Sequence, residues 1–354
     1  MLRPALFLVL ATALFAASED AVPPVAVAVK PPVVWFATEP NAIDHFTESP
    51  TVSARMVDAL VLAVTEQHEI GAAWRKLVSP KDRIGIKVSA AGGAQFSTHL
   101  GVVEAVLAGL EKAGVERRTV LVWDRESSDL KAAGFDARRL RCQVRGIDQP
   151  RGWDRAAPFQ APALGKLIWG DLLFSEKSTK RLGKTPAEHD QLSSTSHFAN
   201  IVTRDLTKII NLPVLADETN LGVAGAIYNI TIPNVDNWRR FLAAEGGATD
   251  SIPDLYADEH LAPKIVLHLM DGLVAQYADG PRGNPNYAFV HATLYASQDP
   301  VALDATAARK IEGWRKESHL PAIARHLEWL DAAEKAGLGT AAESRVVLKP
   351  VTPP

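Results

Sequence analysis

Cysteine is almost missing from this chain of 354 residues, which holds only Cys142. One thiol excludes an internal disulfide, a Cys-ligated iron–sulfur cluster and a Cys-rich zinc site. An excess of one charge is lacking too: 38 Lys and Arg stand against 41 Asp and Glu, a formal net charge of -3, with no basic block. Nucleic-acid binding needs a concentrated cationic face, so no nucleic-acid partner is expected. No apolar run is long enough to span a bilayer as a helix, so no integral membrane segment is expected. The dinucleotide-binding glycine fingerprint, the P-loop pattern, HExxH and the GxSxG elbow are all absent. What is present, 47% hydrophobic and 22% charged residues, is ordinary globular composition.

The amino terminus has a definite pattern. Arg3 precedes the apolar stretch Ala5–Phe15, and Ala16-Ala17-Ser18 ends it with small residues. These are the three regions of a signal peptide over residues 1–18, with cleavage expected before Glu19. A Pro-rich tether follows over 19–32 (Pro23, Pro24, Pro31, Pro32). The expected product is exported, periplasmic or extracellular, with one α/β domain over 33–345.

Strand and helix signals then alternate. Ile84–Val88 reads as a strand, Gly101–Ala113 as an amphipathic helix ended by Gly114, and Thr119–Trp123 as an apolar strand buried on both faces. Such a β-α-β unit favours parallel pairing. Lys208–Leu212, Lys264–Asp271 and His291–Ala296 read as further strands. Pro50–His68, Pro300–Trp314 and Pro321–Ala336 read as helices, and the terminal VVLKPVTPP as an edge strand. Residues 148–196 are rich in Pro, Gly, Asp and Lys, with only Leu164–Phe174 resembling an element, and are expected to form an irregular insertion or small lobe. The fold class is α/β: a mainly parallel, Rossmann-like layered sheet with helices on both faces and an irregular central excursion.

Ligands of such sheets collect at the carboxyl ends of the strands, so polar residues there carry weight. Lys87 sits mid-strand, on the face shared with Gly85 and Ser89. Ser89 opens a glycine loop that ends in Ser97-Thr98-His99 before a helix, where backbone amides can cradle an anion or Ser and Thr can simply cap. Asp124 closes the next strand as a catalytic carboxylate or a salt-bridged turn residue. A single helical crossover joins the two strands, so Lys87 and Asp124 are expected to share one cleft. Lys208 and Asn211 bracket another strand. Asn220, Gly222 and Gly225 suggest a cap with close-packing glycines, or a second anion site. His268 and Asp271 lie three apart at a strand end and point to opposite faces, which makes them poor joint metal ligands unless a turn intervenes. His268 between two leucines also suits a hydrogen-bonded core histidine. Asp299-Pro300 starts a helix by capping, whereas Asp304 lies among apolar residues and needs a partner.

In order, Asp82–Val88, Ser97–His99, Val122–Arg125, Lys208–Leu215, Gly222–Asn229, Leu267–Leu273 and Asp299–Asp304 resemble the bacterial family called domain of unknown function 362, over about residues 33–312. The resemblance implies this α/β fold, frequent export, and an iron–sulfur link in some members. This chain lacks their cysteines and has Glu218-Thr219-Asn220 where relatives often carry a histidine near Asp217. The cluster is therefore not carried over.

Two classes of function remain open. In one, an exported enzyme acts on a small anionic substrate in a polar cleft: Lys87, Asp124, Lys208 and His268 are catalytic, Ser89, Thr98, His99, Asn211, Asn220 and Gly222 bind, and Asp271 and Asp304 are candidate donors for a divalent metal, the cofactor being otherwise open. In the other, a non-catalytic envelope protein binds a ligand in the same cleft without turnover.

Overall fold

A nine-stranded mixed sheet divides the molecule. We describe it from a computed structural model covering residues 31–147, 152–174, 191–242, 248–323 and 326–354, the side chains of 248–250 aside. The expected signal peptide and all of the tether but Pro31 and Pro32 lie outside the described residues. The strands are β1 (Val33–Thr38), β2 (Ile43–Asp44), β3 (Thr47–Glu48), β4 (Ile84–Val88), β5 (Leu121–Asp124), β6 (Gln143–Gly146), β7 (Trp153–Lys166), β8 (Leu192–Ala199), β9 (Lys208–Leu212), β10 (Val214–Ala216), β11 (Ile265–Gln276), β12 (Ala288–Ser297) and β13 (Val347–Pro350). The main sheet runs β13-β1-β12-β11-β9-β4-β5-β6, with β10 beside β11. β12 is antiparallel to both neighbours; every other pairing in the sheet is parallel.

The helices are α1 (Pro50–Thr65), α2 (Ile70–Leu77), α3 (Gly93–Phe96), α4 (Leu100–Lys112), α5 (Ser127–Ala132), α6 (Ala137–Leu140), α7 (Ala226–Thr231), α8 (Ala248–Ala257), α9 (Pro300–Glu317) and α10 (Glu328–Lys335). Both sheet faces are covered, which is why β4 and β5 read as continuous apolar runs. Ile84, Ile86 and Val88 pack with α1, α2 and α4 on one face. Trp123, Ile209 and Met270 pack with α7–α10 on the other. The fold class read from the sequence is the one observed.

This arrangement creates a switch point. From β4 the chain crosses by α4, on one face, to β5; from β9 it crosses by α7 and α8, on the other face, to β11 on the opposite side. The carboxyl ends of β4 and β9 therefore flank the crevice position at which sheets of this kind bind ligands.

Several expected elements differ. Within 148–196 the chain forms an antiparallel pair, β7 with β8. Pro158, Pro162 and Gly165 disguise β7, yet a two-stranded ribbon consists only of edges, where proline is tolerated. Its register shifts twice, between Trp153 and Pro158 and between Gln160 and Gly165. β11 does not stop at Asp271 but runs to Gln276, through a register shift after Gly272. The helix expected from Pro321 begins only at Glu328, and upstream of it the Ile323 amide is held by Glu312 of α9. The terminal edge strand is present as β13, parallel to β1.

Candidate functional site

Four polar residues occupy one level of an otherwise apolar sheet. Pairing sets Lys87 of β4 opposite Asn211 of β9, Asn211 opposite His268 of β11, and His268 opposite Ser297 of β12. All four are buried, Lys87 completely. Burying such groups is costly unless each is bonded, and here they are. Lys87 Nζ donates to Asp124 Oδ1 at 2.6 Å, Val88 O at 2.7 Å and Asn229 Oδ1 at 3.1 Å. An ammonium has three N–H donors, so it is saturated and has no lone pair to offer as a base or nucleophile. Burial still pushes the Lys87 pKa down, against the pull of Asp124.

The bonds continue in one direction. Asn229 Nδ2 donates to Asn211 Oδ1 at 2.8 Å, and Asn211 Nδ2 donates to Ala226 O at 2.8 Å and His268 Nδ1 at 3.0 Å. Because Nδ1 accepts, the His268 proton sits on Nε2 and is donated to the Tyr256 hydroxyl at 3.2 Å. Burial depresses the His268 pKa to about 3, so the ring is neutral. His268 is thus an internal relay residue with both nitrogens bonded. Tyr256 is pushed up by burial and by the charges of Asp304 and Asp299.

At the crevice end of this line stands Asp124. Its Oδ1 accepts from Lys87 and from the Arg125 amide at 2.7 Å; its Oδ2 accepts the Ala90 amide at 2.7 Å. A carboxylate offers about four lone-pair positions, so one remains, on Oδ2. Asp124 is 6% exposed. Tyr228 is half-buried nearby; burial raises its phenol, the charges of Glu218 and Asp124 raise it further, and Arg125 and Arg282 oppose this.

The glycine loop after β4 is drawn onto β9 by Thr98, whose hydroxyl accepts the Ser89 amide at 2.9 Å and donates to Leu212 O at 2.8 Å. His99 then begins α4. Asp271 Oδ2 accepts both its amide, at 2.7 Å, and its Nδ1 proton, at 2.9 Å. Glu48 Oε2 accepts the Gly101 amide at 2.7 Å.

Each amide nest expected to cradle an anion already holds a carboxylate of the chain itself. Glu218 Oε2 takes the amides of Asn220 and Leu221, each at 2.7 Å. Asp217 Oδ1 takes Gly280 N at 2.9 Å, and burial raises its pKa to about 6. Asp304 accepts Ala226 N at 2.5 Å and Ile227 N at 2.9 Å at the start of α7, and burial raises it to about 7. Gly225 permits this approach: a Cβ there would lie 2.0 Å from Asp304 Oδ1. The second anion site expected around Asn220, Gly222 and Gly225 is therefore filled from within. Asn220 is exposed, and Gly222 takes a φ of +78°, which glycine adopts freely.

Thus the structure aligns Lys87, Asn211 and His268 on one face, bonds Asp124 to Lys87 at the strand ends, and places Ser89, Thr98, His99 and Asp271 at the edge. Lys208 stands apart: it begins β9, three residues before Asn211 and directed to the opposite face. Asp271 and Asp304 do not converge, and among the described residues no three His, Cys, Asp or Glu side chains are grouped to hold a metal ion. Among the described residues no helix is long and apolar enough to cross a membrane. Sequence reading missed Glu48, Asp217, Asn229 and Tyr256 as parts of this constellation. Asn229 lay within a quoted motif, but nothing local marks Glu48 or Tyr256.

No curated protein matches the chain. Among solved structures, a crystal structure of a Thermotoga maritima protein aligns with 10% identity and a TM-score of 0.39, over 78% of this chain and 61% of that one. This chain thus spans less than two thirds of that protein's length. Residues 179–309, from just before β8 into α9, match the model of the family described as Domain of unknown function (DUF362), the family that the motifs resemble.

Proposed function

We propose that the crevice at the carboxyl ends of β4, β5 and β9 is the site of an enzyme performing acid–base chemistry on a small polar molecule. The observation that carries this reading is the one-directional line Lys87–Asn229–Asn211–His268–Tyr256 together with Asp124, whose Oδ2 accepts one amide and keeps one lone pair. Such a line costs folding free energy, and titratable groups held this way mark functional sites more often than chance. Lys87 and the relay fix Asp124, and Asp124 is the group able to accept a hydrogen from a ligand.

The ligand's charge follows from the filled nests. Asp124, Glu48, Asp217, Glu218, Asp271 and Asp304 all hold backbone amides around this edge, while Arg125 is engaged with Val235 O at 2.7 Å. Arg282 is an exposed cation whose charge acts on Tyr228. The balance favours a neutral or cationic molecule over the anionic one expected from sequence. A divalent metal would need donors beyond the pairs assembled here.

The competing reading is a ligand-binding protein without turnover, favoured by the saturation of Lys87. A thermal-shift screen of neutral, cationic and anionic metabolites, with each incubation analysed by mass spectrometry, separates the two. Stabilisation with a new product supports an enzyme; stabilisation without product supports a binder. Stabilisation by anions alone would overturn the proposed ligand class.

Export belongs to the same proposal, on the Arg3–Ser18 pattern. Protein recovered from the native host should begin after Ser18; mature protein that retains Met1 would refute it.

A further inference from the structure

We propose that His99, oriented by Asp271, takes up and returns a proton in this crevice, and serves an O–H or N–H group of a ligand without negative charge at that end. The inference rests on the enzymatic reading above and deepens it.

Asp271 fixes the ring through two contacts on one oxygen, the His99 amide and Nδ1, while its other oxygen accepts Leu273 N at 3.0 Å. Holding the Nδ1 proton sets the tautomer and leaves Nε2 as the reactive atom. His99 is 6% exposed, and its Nε2 is buried without a hydrogen-bond partner. Ser97 Oγ, two residues earlier, is likewise buried and unpartnered. Glu48 differs, because the Ser53 hydroxyl beside it serves as a hydrogen-bond donor to its carboxylate. Native structures leave few such atoms, and each one asks for an explanation. His99 Nε2 and Ser97 Oγ, two such atoms beside the first turn of one helix, point to a bound group that satisfies them together. His268 is the internal contrast, since both its nitrogens are bonded and neither is free to exchange a proton.

The surroundings choose the ligand. Asp271 and Glu48 are the charged groups acting on His99, so an anion is repelled, and the Ser97 and Glu48 oxygens accept hydrogen bonds. Burial alone lowers the His99 pKa, but the charge and hydrogen bond of Asp271, with the charge of Glu48, outweigh it and leave it raised. In the step itself, Nε2 uses its lone pair to bond the proton, the ligand's X–H bond breaks, and the electron pair stays on X. The imidazolium is held by Asp271 until the proton returns.

The test follows His99 Cε1 deuterium exchange across pH by mass spectrometry in the full chain. The wild-type midpoint should lie above about 6.5, the ordinary histidine value. Asp271→Asn should lower it by about one pH unit or more, and Glu48→Gln, which leaves the Asp271 contacts intact, by less. Midpoints in wild type and Glu48→Gln at or below the ordinary value would overturn the proposal even if Asp271→Asn fails to fold. As probes, glycerol offers only hydroxyls and methylammonium only an ammonium. Protection of His99 by either supports the proposal and names the donor; protection by neither, or by inorganic phosphate alone, contradicts it. Should a ligand bind in an Asp124-dependent manner while His99 titrates ordinarily, the dyad role falls and the crevice stands.

Discussion

Replacing Lys87 by methionine probes the buried line at its charged end. Methionine matches most of the aliphatic stem but supplies no donor, so Asp124 loses its 2.6 Å partner while keeping the Ala90 and Arg125 amides. Val88 O and Asn229 Oδ1 each lose a hydrogen as well. Lys87 is wholly buried and the Asp124 side chain only 9% exposed, so water is a poor substitute for the ammonium. Removing one member of such a pair costs about 3–5 kcal/mol. Urea unfolding followed by tryptophan fluorescence measures this, because Trp123 is the β5 residue paired with Lys87. The double variant Lys87→Met with Asp124→Asn should lose less than the sum of the singles, since it leaves no uncompensated charge; a coupling of about 1 kcal/mol or more is expected. By contrast, the exposed pair Arg118–Glu116 should be nearly silent when Glu116 becomes Gln. A loss below about 1 kcal/mol for Lys87→Met, or strictly additive variants, would refute the view of Lys87 as the anchor of the site.

Asp217 and Asp304 have folded pKa values raised to about 6 and about 7, so the folded protein keeps protons that the unfolded chain releases near pH 4; their contribution to stability should fall as pH rises from about 4 to about 7. Asp304→Asn should flatten that dependence in urea titrations, and an unchanged slope would contradict the assignment. Gly225→Ala should displace Asp304 from the α7 amides and lower the melting temperature, whereas Gly313→Ala, where nothing lies within 4 Å, should not. Cys142 is buried with its thiol pushed up to about 11, so it should resist a disulfide reagent at pH 8 until the protein is unfolded.

Some of this was legible in the chain because local pattern and tertiary role coincide. Ile84–Val88 announces a doubly covered strand, and the polar residue interrupting it, Lys87, is the one that meets Asp124 across neighbouring parallel strands. Asp304 likewise betrayed itself as a carboxylate among apolar neighbours in need of a partner. What stayed hidden depends on contacts distant in sequence. His99 and Asp271 meet across 172 residues, and Lys87 and Asn229 across 142. The β7–β8 ribbon was masked by its own prolines, and the length of β11 by the irregularity at Gly272. The expectation of open anion cradles failed for a related reason. Sequence displays an amide nest as glycines and caps but does not display the remote side chain that fills it, as Asp304 fills the start of α7.

The central claim is that a ligand meets Asp124 Oδ2 at the switch point between β4 and β9. Calorimetric titration of the best stabilising molecule against wild type, Asp124→Asn and Lys208→Ala tests it most directly. Asparagine keeps the shape but swaps a charged acceptor for an amide, and a hydrogen bond to a charged group is worth about 1.5–3 kcal/mol, so affinity should fall about tenfold or more. Lys208→Ala, at the other end of β9, should leave affinity unchanged. Equal affinity of wild type and Asp124→Asn, with both folded, would contradict the account.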